Sequence, residues 1–512
     1  MRSFVTTVLV AALLLLSGCD SVVERTEPSQ SISQEVALSN PDAIQGVRAS
    51  MYDRMHTEEM STDWLLGPSA IADNVYFRGN QERHQGLNRN LGREGILTLG
   101  GRSGYNDIYN LINDANILIS GIEEGALPEE EATKLEAEGL FMRALAMHHG
   151  VRVFGYDPNG QGGVVSPNSG PGQGFNLGIE IRTEPTLDVS DATSTPRSPV
   201  PAVYDQIVSD LERAINIFQN LPADVKEGSE FYPSEAAAQA LMARVRLYQR
   251  DWDAADSRAQ NAIDLAGSTF GSQLAVPDSS SVMSIFDERN GNPEAIFTIS
   301  TNPSAGESPG VNEAISAYTT IQYLAQLPTQ DLVSLYEPGD ARLEAWYDPC
   351  FNEIFGSKPT GCEDINDEGY ELTKYSSERA VSQYADNHPH LRIAEMYLIQ
   401  AEARLKQQGG SVSEAIGRLN DLREQRGAST LNAGNYNQAS AMDEILDERR
   451  RELVAEGHRF FDLKRLGRDI QKAQGREDIP FRGLQERQFF LIDDLPEDQL
   501  TVNDSLQQNP GY

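Results

Sequence analysis

The sequence predicts a mostly α protein, with tetratricopeptide-like helical hairpins on one flank and a loop-rich lobe holding a few short strands. Three observations carry this. Apolar residues recur at three- and four-residue steps over residues 43–55, 105–122, 129–154, 201–219, 234–266, 391–407, 413–426 and 442–466, the spacing that gathers them on one helix face. Strand-like text is scarce, and its best stretch is 295–300 (Ala-Ile-Phe-Thr-Ile-Ser), alternating, β-branched and bounded by Asn292-Pro293 and Asn302-Pro303. Third, Ala243, Ala255, Ala259 and Ala262 line up at one constant offset with Ala403, Ala415, Leu419 and Leu422. Small residues at such spacings let antiparallel helices approach closely, as stacked helical hairpins require. Residues 129–154 and 201–219 form a third candidate pair, while 156–199, 267–281 and 302–373 are long, irregular and rich in Gly, Pro, Ser and Asn. On a regular helical scaffold, loops of that length are the material of a binding face.

The N-terminus reads as an export signal. Met1 and Arg2 give a short basic start, and residues 8–16 form an apolar run too short to span a membrane as a folded helix. The run ends Leu16-Ser17-Gly18-Cys19, which resembles the lipobox of bacterial lipoproteins, where the thiol is acylated and cleavage leaves the cysteine first. Residues 1–18 are therefore expected to be a signal peptide, 19–39 a lipidated N-terminus and polar tether attached through Cys19, and 40–512 a single compact unit.

Of the 512 residues 39% are hydrophobic and 23% charged, an ordinary globular balance, and 77 acidic against 42 basic residues leave a formal net charge of -35. That charge makes nucleic acid and anionic lipid headgroups poor partners for the surface as a whole. Cys350 and Cys362 bracket a loop-like stretch containing Gly356, Pro359 and Gly361, and in an exported chain they are expected to form a disulfide.

The search for reaction chemistry finds little. No phosphate-binding Gly-x-x-x-x-Gly-Lys-Ser/Thr, His-Glu-x-x-His or Gly-x-Ser-x-Gly occurs, and histidines 56, 84, 148, 149, 388, 390 and 458 form no ligand pattern. His388-Pro389-His390 is expected to be a solvent-facing turn. Asp364-Ile365-Asn366-Asp367-Glu368-Gly369 begins like a calcium loop, but Tyr375 stands where the chelating Glu belongs. No catalytic residue, metal or cofactor is assigned. The mixture that holds sugars, aromatic faces beside Asp, Asn and Arg, occurs in two regions. The first runs from Trp64 and supplies Asp73, Asn74, Tyr76, Phe77 and Arg78; the second supplies Tyr323, Trp346 and Tyr347.

The C-terminal part, about 290–512, holds the most specific text. It includes Leu391-Arg392-Ile393-Ala394-Glu395-Met396-Tyr397-Leu398, then Glu448-Arg449-Arg450-Arg451-Glu452-Leu453-Val454-Ala455-Glu456-Gly457-His458-Arg459-Phe460-Phe461-Asp462, and finally Gln508-Asn509-Pro510-Gly511-Tyr512. With Tyr109-Asn110-Leu111-Ile112-Asn113-Asp114-Ala115-Asn116 and Glu337-Pro338-Gly339-Asp340-Ala341-Arg342 in matching order, the chain resembles the RagB/SusD family of surface nutrient-binding lipoproteins. The resemblance implies a SusD-like fold and a non-catalytic role: a lipid-anchored, cell-surface outer-membrane protein holding a glycan or similar oligomer and delivering it to a SusC-like TonB-dependent transporter. It also places ligand contacts on a face built from an early loop and the irregular insertions, matching the two aromatic regions by position rather than by motif. A peptide cargo, or a surface glycan hydrolase, are the alternatives. The charged signature helix itself reads as scaffold, with Glu448, Arg451, Glu452 and Glu456 at spacings where side chains pair along one helix.

Lysine occurs only at positions 134, 226, 358, 374, 406, 464 and 472. This acidic, lysine-poor balance points to a protein adapted to high salt. Its thermal stability is then expected to rise with added NaCl, and a melting temperature that stays flat or falls removes that reading.

Overall fold

The computed structural model describes residues 39–77, 102–120, 122–156, 175–187, 193–226, 228–286, 292–301, 310, 313–319, 326–349, 370–375, 386–468 and 492–510. The chain enters through α1 (Pro41–Arg54), where Asn40 accepts the Asp42 amide and Pro41 presets the first turn. A π-helical turn, Glu59–Asp63, leads into α2 (Trp64–Ile71) and the short strand β1 (Val75–Phe77). The long helices follow: α3 (Arg102–Ser120), α4 (Glu129–Phe154), α5 (Val200–Asn220), α6 (Glu235–Gln249) and α7 (Trp252–Phe270).

The periodic stretch 234–266 is two helices rather than one. Arg250 takes a left-handed conformation (φ 61°), and Asp251 caps α7 by accepting the Ala254 amide. The reversal makes α6 and α7 an antiparallel hairpin. Its partner is α12 (Ile393–Lys406) with α13 (Val412–Glu424), and both repeats bury the aligned residues Ala243, Ala255, Ala259, Ala262, Ala403, Ala415, Leu419 and Leu422 completely. Successive packing of α1 on α3, α3 on α4, α4 on α5, α5 on α6, α6 on α7 and α7 on α12 gives one continuous row of helices. That row is the regular flank.

The other lobe is made of short pieces: α8 (Ser279–Met283), β2 (Ala295–Ile299), α9 (Ile315–Thr319), β3 (Gln326–Pro328), α10 (Gln330–Val333), α11 (Ala341–Trp346), β4 (Tyr347–Pro349), β5 (Tyr370–Leu372) and β6 (His388–Arg392). They pair antiparallel as β1 with β3, β2 with β6 and β4 with β5. The expected turn at His388-Pro389-His390 is a fully buried strand instead. Pro389 is tolerated there because the β2–β6 ladder is irregular, with register shifts on either side of Phe297.

The expected helix 442–466 is also divided, into α14 (Gln438–Glu452) and α15 (Arg459–Leu466), with α16 (Glu497–Val502) near the C-terminus. Between them Ala455 and Gly457 have positive φ (60° and 78°), and a Cβ at Gly457 would stand 2.5 Å from the Trp64 carbonyl oxygen. Glycine is needed here for both reasons, and the turn sets α15 against α2.

At the junction of the two lobes lies a buried ionic network. Glu452 accepts from Arg342 (2.8 Å), Arg392 (2.6 Å) and Arg426 (2.9 Å); Glu448 accepts from Arg342 (2.7 Å), Arg423 (2.8 Å) and Arg451 (2.7 Å). Arg392 also reaches Glu294 and Glu456, Arg426 reaches Glu294, Lys374 reaches Glu456, and Arg342 is gripped by Asp340. Of these contacts only Arg451 to Glu448 runs along one helix. The signature carboxylates pair across the fold, where the sequence spacing suggested pairing within the helix. Burial raises the Glu452 carboxyl, but the charges of Arg426, Arg392 and Arg342 outweigh it and hold the group well below the usual carboxylate range.

Glu452→Gln leaves three buried guanidinium groups short of one charge. A loss of about 3–5 kcal/mol is expected, read as a lowered denaturant midpoint, and a loss under about 1 kcal/mol would mean the network carries no stability.

Candidate ligand-binding site

The early segment is tied down by the C-terminal signature. Arg459 donates through Nε and Nη2 to the two carboxylate oxygens of Asp73, each at 2.7 Å. Arg450 donates from Nε to Asn74 Oδ1 (2.7 Å) and from Nη2 to the Asp73 carbonyl (2.8 Å). Burial pushes the Asp73 carboxyl up, and the Arg459 hydrogen bonds with the charges of Arg459 and Arg450 more than reverse this, holding it at about 2. The Thr329 amide and hydroxyl donate to the Asn74 and Asp73 carbonyls, which lays β1 along β3 in the register Val75 to Pro328, Tyr76 to Leu327 and Phe77 to Gln326. β3 packs on β5, the partner of β4, so the two aromatic regions of the sequence become neighbours.

Beside β4 and β5 opens a cleft of 920 Å³ between α8 and α11. Its wall of Gly339, Asp340 and Ala341 is fixed from behind. Gly339 (φ 97°) and Gly427 (φ 68°) pass backbone to backbone, a Cβ on Gly427 would meet the Gly339 carbonyl at 2.7 Å, and the Ala341 amide donates to the Arg426 carbonyl at 2.8 Å. Asp340 caps α11 and grips Arg342, which α11 turns inward to the ionic network. The opposite face of α11 gives the cleft Leu343 and exposed Glu344; Tyr347, Asp348 and Tyr370 come from β4 and β5, and Asp278 and Met283 from the α8 side. The Tyr347 and Tyr370 rings meet edge to face at 6.5 Å and 87°. The Tyr347 hydroxyl shares a 2.9 Å hydrogen bond with that of Tyr336, which donates to the Arg451 carbonyl at 2.7 Å.

Tyr347 is the member of the sequence-derived set that lines this cleft. Trp64 is 5% exposed and stacks on His149 at 3.7 Å; Trp346 is fully buried, donates to the Val282 carbonyl and meets Phe286 edge-on. Neither ring offers a face to a ligand in this structure. Asp73 and Asn74 spend their acceptor oxygens on the arginine clamp, and Tyr76 and Phe77 lie on β1. Cys19, Arg78, Tyr323, Cys350 and Cys362 fall outside the described residues. Asp278, Met283, Glu344, Asp348 and Tyr370 were not singled out by the sequence, although Asp278 lies within 267–281 and Glu344, Asp348 and Tyr370 within 302–373, stretches read as loop-rich. Among the described residues no group of three or more His, Cys, Asp and Glu side chains could hold a metal ion.

Comparison with known proteins places this architecture. A model described as starch-binding associating with outer membrane matches residues 27–247, and the SusD family model matches residues 353–512. The SusD-like protein P38 of Formosa agariphila is 26% identical over 99% of this chain and 98% of its own length. Both ranges match SusD-type families. A second SusD-like protein of the same organism, P2, is 25% identical over 98% of both chains. Among solved structures, a SusD superfamily protein of Bacteroides thetaiotaomicron overlays with a TM-score of 0.74 at 22% identity, covering 94% of this chain and all of that one. A laminarin-binding SusD-like protein overlays with a TM-score of 0.67 at 24% identity, covering 93% and 100%.

In this SusD-like chain the early segment is also held by buried histidines. His149 stacks on Trp64, His390 meets its edge, and His148, His388 and His458 are enclosed nearby on α4, β6 and the turn before α15. Burial drives all five below the ordinary histidine range, His390 to about 3 with the charges of Arg244 and His56 adding to the effect. The folded state refuses protons that the unfolded chain accepts below about 6.5, so stability is complete above that pH and falls below it, with Asp73 adding a further loss below about 4. The unfolding free energy is expected to drop between about pH 6 and 4, by up to about 1.4 kcal/mol per pH unit for each histidine kept neutral, read as a lowered denaturant midpoint. A stability constant over that interval would contradict the burial of these rings.

Proposed function

We propose that this SusD-like protein captures a glycan at the cell surface in the cleft between α8 and α11 and delivers it to a SusC-like TonB-dependent outer-membrane transporter, itself held to the membrane through a lipid on Cys19. The observation that carries the reading is the cleft. Its volume of 920 Å³ is that of a small-molecule or oligomer site, and its lining combines tyrosine rings with carboxylates and hydroxyls. Ring faces suit the apolar faces of sugars, and carboxylates accept hydroxyl protons. The starch-binding description of the matching family and the laminarin-binding structural neighbour support a carbohydrate cargo. Half-buried Tyr370 is the aromatic contact of choice, with the buried Tyr347 ring supporting it from behind, and Trp64, Asp73, Asn74, Trp346 and the strand of Tyr76 and Phe77 act as the frame of the site.

Isothermal titration of the soluble chain starting after Cys19, against a panel of polysaccharides and peptides, tests this. Saturable glycan binding without cleavage products is expected, and Tyr370→Ala, at a half-buried position, should weaken it about tenfold, the loss of roughly 1.4 kcal/mol of stacking. Binding of peptides alone, or release of shortened glycan, overturns the proposal.

A further inference from the structure

The charges of the cleft lining restrict what it can hold. We infer that the cleft selects uncharged glycans and rejects those bearing uronic or sulfate groups, a conclusion that rests on the capture reading above. Asp278, Glu344 and Asp348 are exposed along the cleft, Asp340 stands in its wall, and among the described lining residues there is no Lys or Arg. Among the described residues, the two cations adjacent in sequence to the lining are turned away. Arg342 is fully buried with its guanidinium taken by Asp340, Glu448 and Glu452, and Lys374, equally buried, donates to Glu456 and to the carbonyls of Glu452 and Val454. Neither can turn outward without leaving buried carboxylates unmatched.

Asp278 is also placed to remain ionised. Asp278 accepts from the hydroxyls of Ser280 (2.6 Å) and Ser281 (2.7 Å) and from the Ser281 amide (2.9 Å), and these bonds hold it at about 2. Ionised carboxylates are acceptors only. The hydroxyls of a neutral sugar can donate to them, two at once from a vicinal diol. A uronate or sulfate brings like charge, which no described lining side chain neutralises. The whole-chain charge of -35 acts in the same direction at longer range.

The test compares one backbone in two charge states: laminarin oligosaccharides, within a panel of neutral glucans, mannans and galactans, against the C6-oxidised carboxylate form of whichever neutral glycan binds. The wild-type chain is expected to bind the neutral form at least ~10-fold more tightly, with an affinity nearly unchanged between about 50 and 500 mM NaCl. Asp278→Asn/Glu344→Gln/Asp348→Asn keeps size and the helix cap of α8 while removing charge, and should shift the ratio of affinities toward the oxidised form by about tenfold. Wild-type protein that prefers oxidised or sulfated glycan, or a variant whose ratio does not shift while its melting temperature is unchanged, overturns the charge selection and leaves capture standing. No glycan binding of either kind overturns the capture reading and this inference with it.

Discussion

The carboxylate of Glu452 sits where three guanidinium groups converge, and most of the fold is arranged to satisfy it. An isolated ionised carboxylate in the interior would be prohibitive, and so would three isolated arginines. The chain meets this constraint by bringing together Glu294 just before β2, the start of α11, the end of β6, Arg426 just after α13 and the end of α14, none of which could form the cluster with its own neighbours in sequence. Such a cluster adds less net stability than apolar packing of equal volume would. What it supplies is a single permitted arrangement, because any shift of one segment strands a charge on another.

The same segments carry the outer face of the molecule. α11 turns Arg342 to the cluster and Glu344 to the cleft; α14 and the turn after it supply Glu448 and Glu452 inward, and Arg450 and Arg459 to the early segment. The helical row gives stiffness by close contact of alanine-rich faces. The irregular lobe, with little regular hydrogen bonding of its own, takes its definition from charge pairing and from short two-strand ladders.

Helix positions and the repeat were legible because both follow from periodic burial along a line. The breaks were not. An arginine in the left-handed region at position 250 and an alanine at 455 leave no compositional mark, since both are imposed by what the flanking helices pack against. His388 and His390 read as turn residues because imidazoles and a proline suggest water, yet β6 is enclosed on both sides. At the site, residue type located the neighbourhood but not the role. Trp64 and Trp346 are large enough to be claimed by the core, Asp73 is claimed by an arginine 386 positions away, and only the folded chain separates them from Tyr347. Tyr370 and Glu344 lie in stretches without periodicity, where sequence offers no ranking.

The crossing of Gly339 and Gly427 has a consequence for how such a cleft diversifies. Two backbones in direct contact admit no side chain between them, and Asp340 and Arg342 are committed to the interior, so this wall is closed to inheritance of new specificity. Change must accumulate on the facing wall, at Asp278, Met283, Glu344, Asp348 and Tyr370, whose side chains can be exchanged without disturbing the ionic cluster. One side of the cleft behaves as a fixed anvil and the other as an interchangeable die, and descendants of a common ancestor can come to hold different cargoes while remaining superimposable.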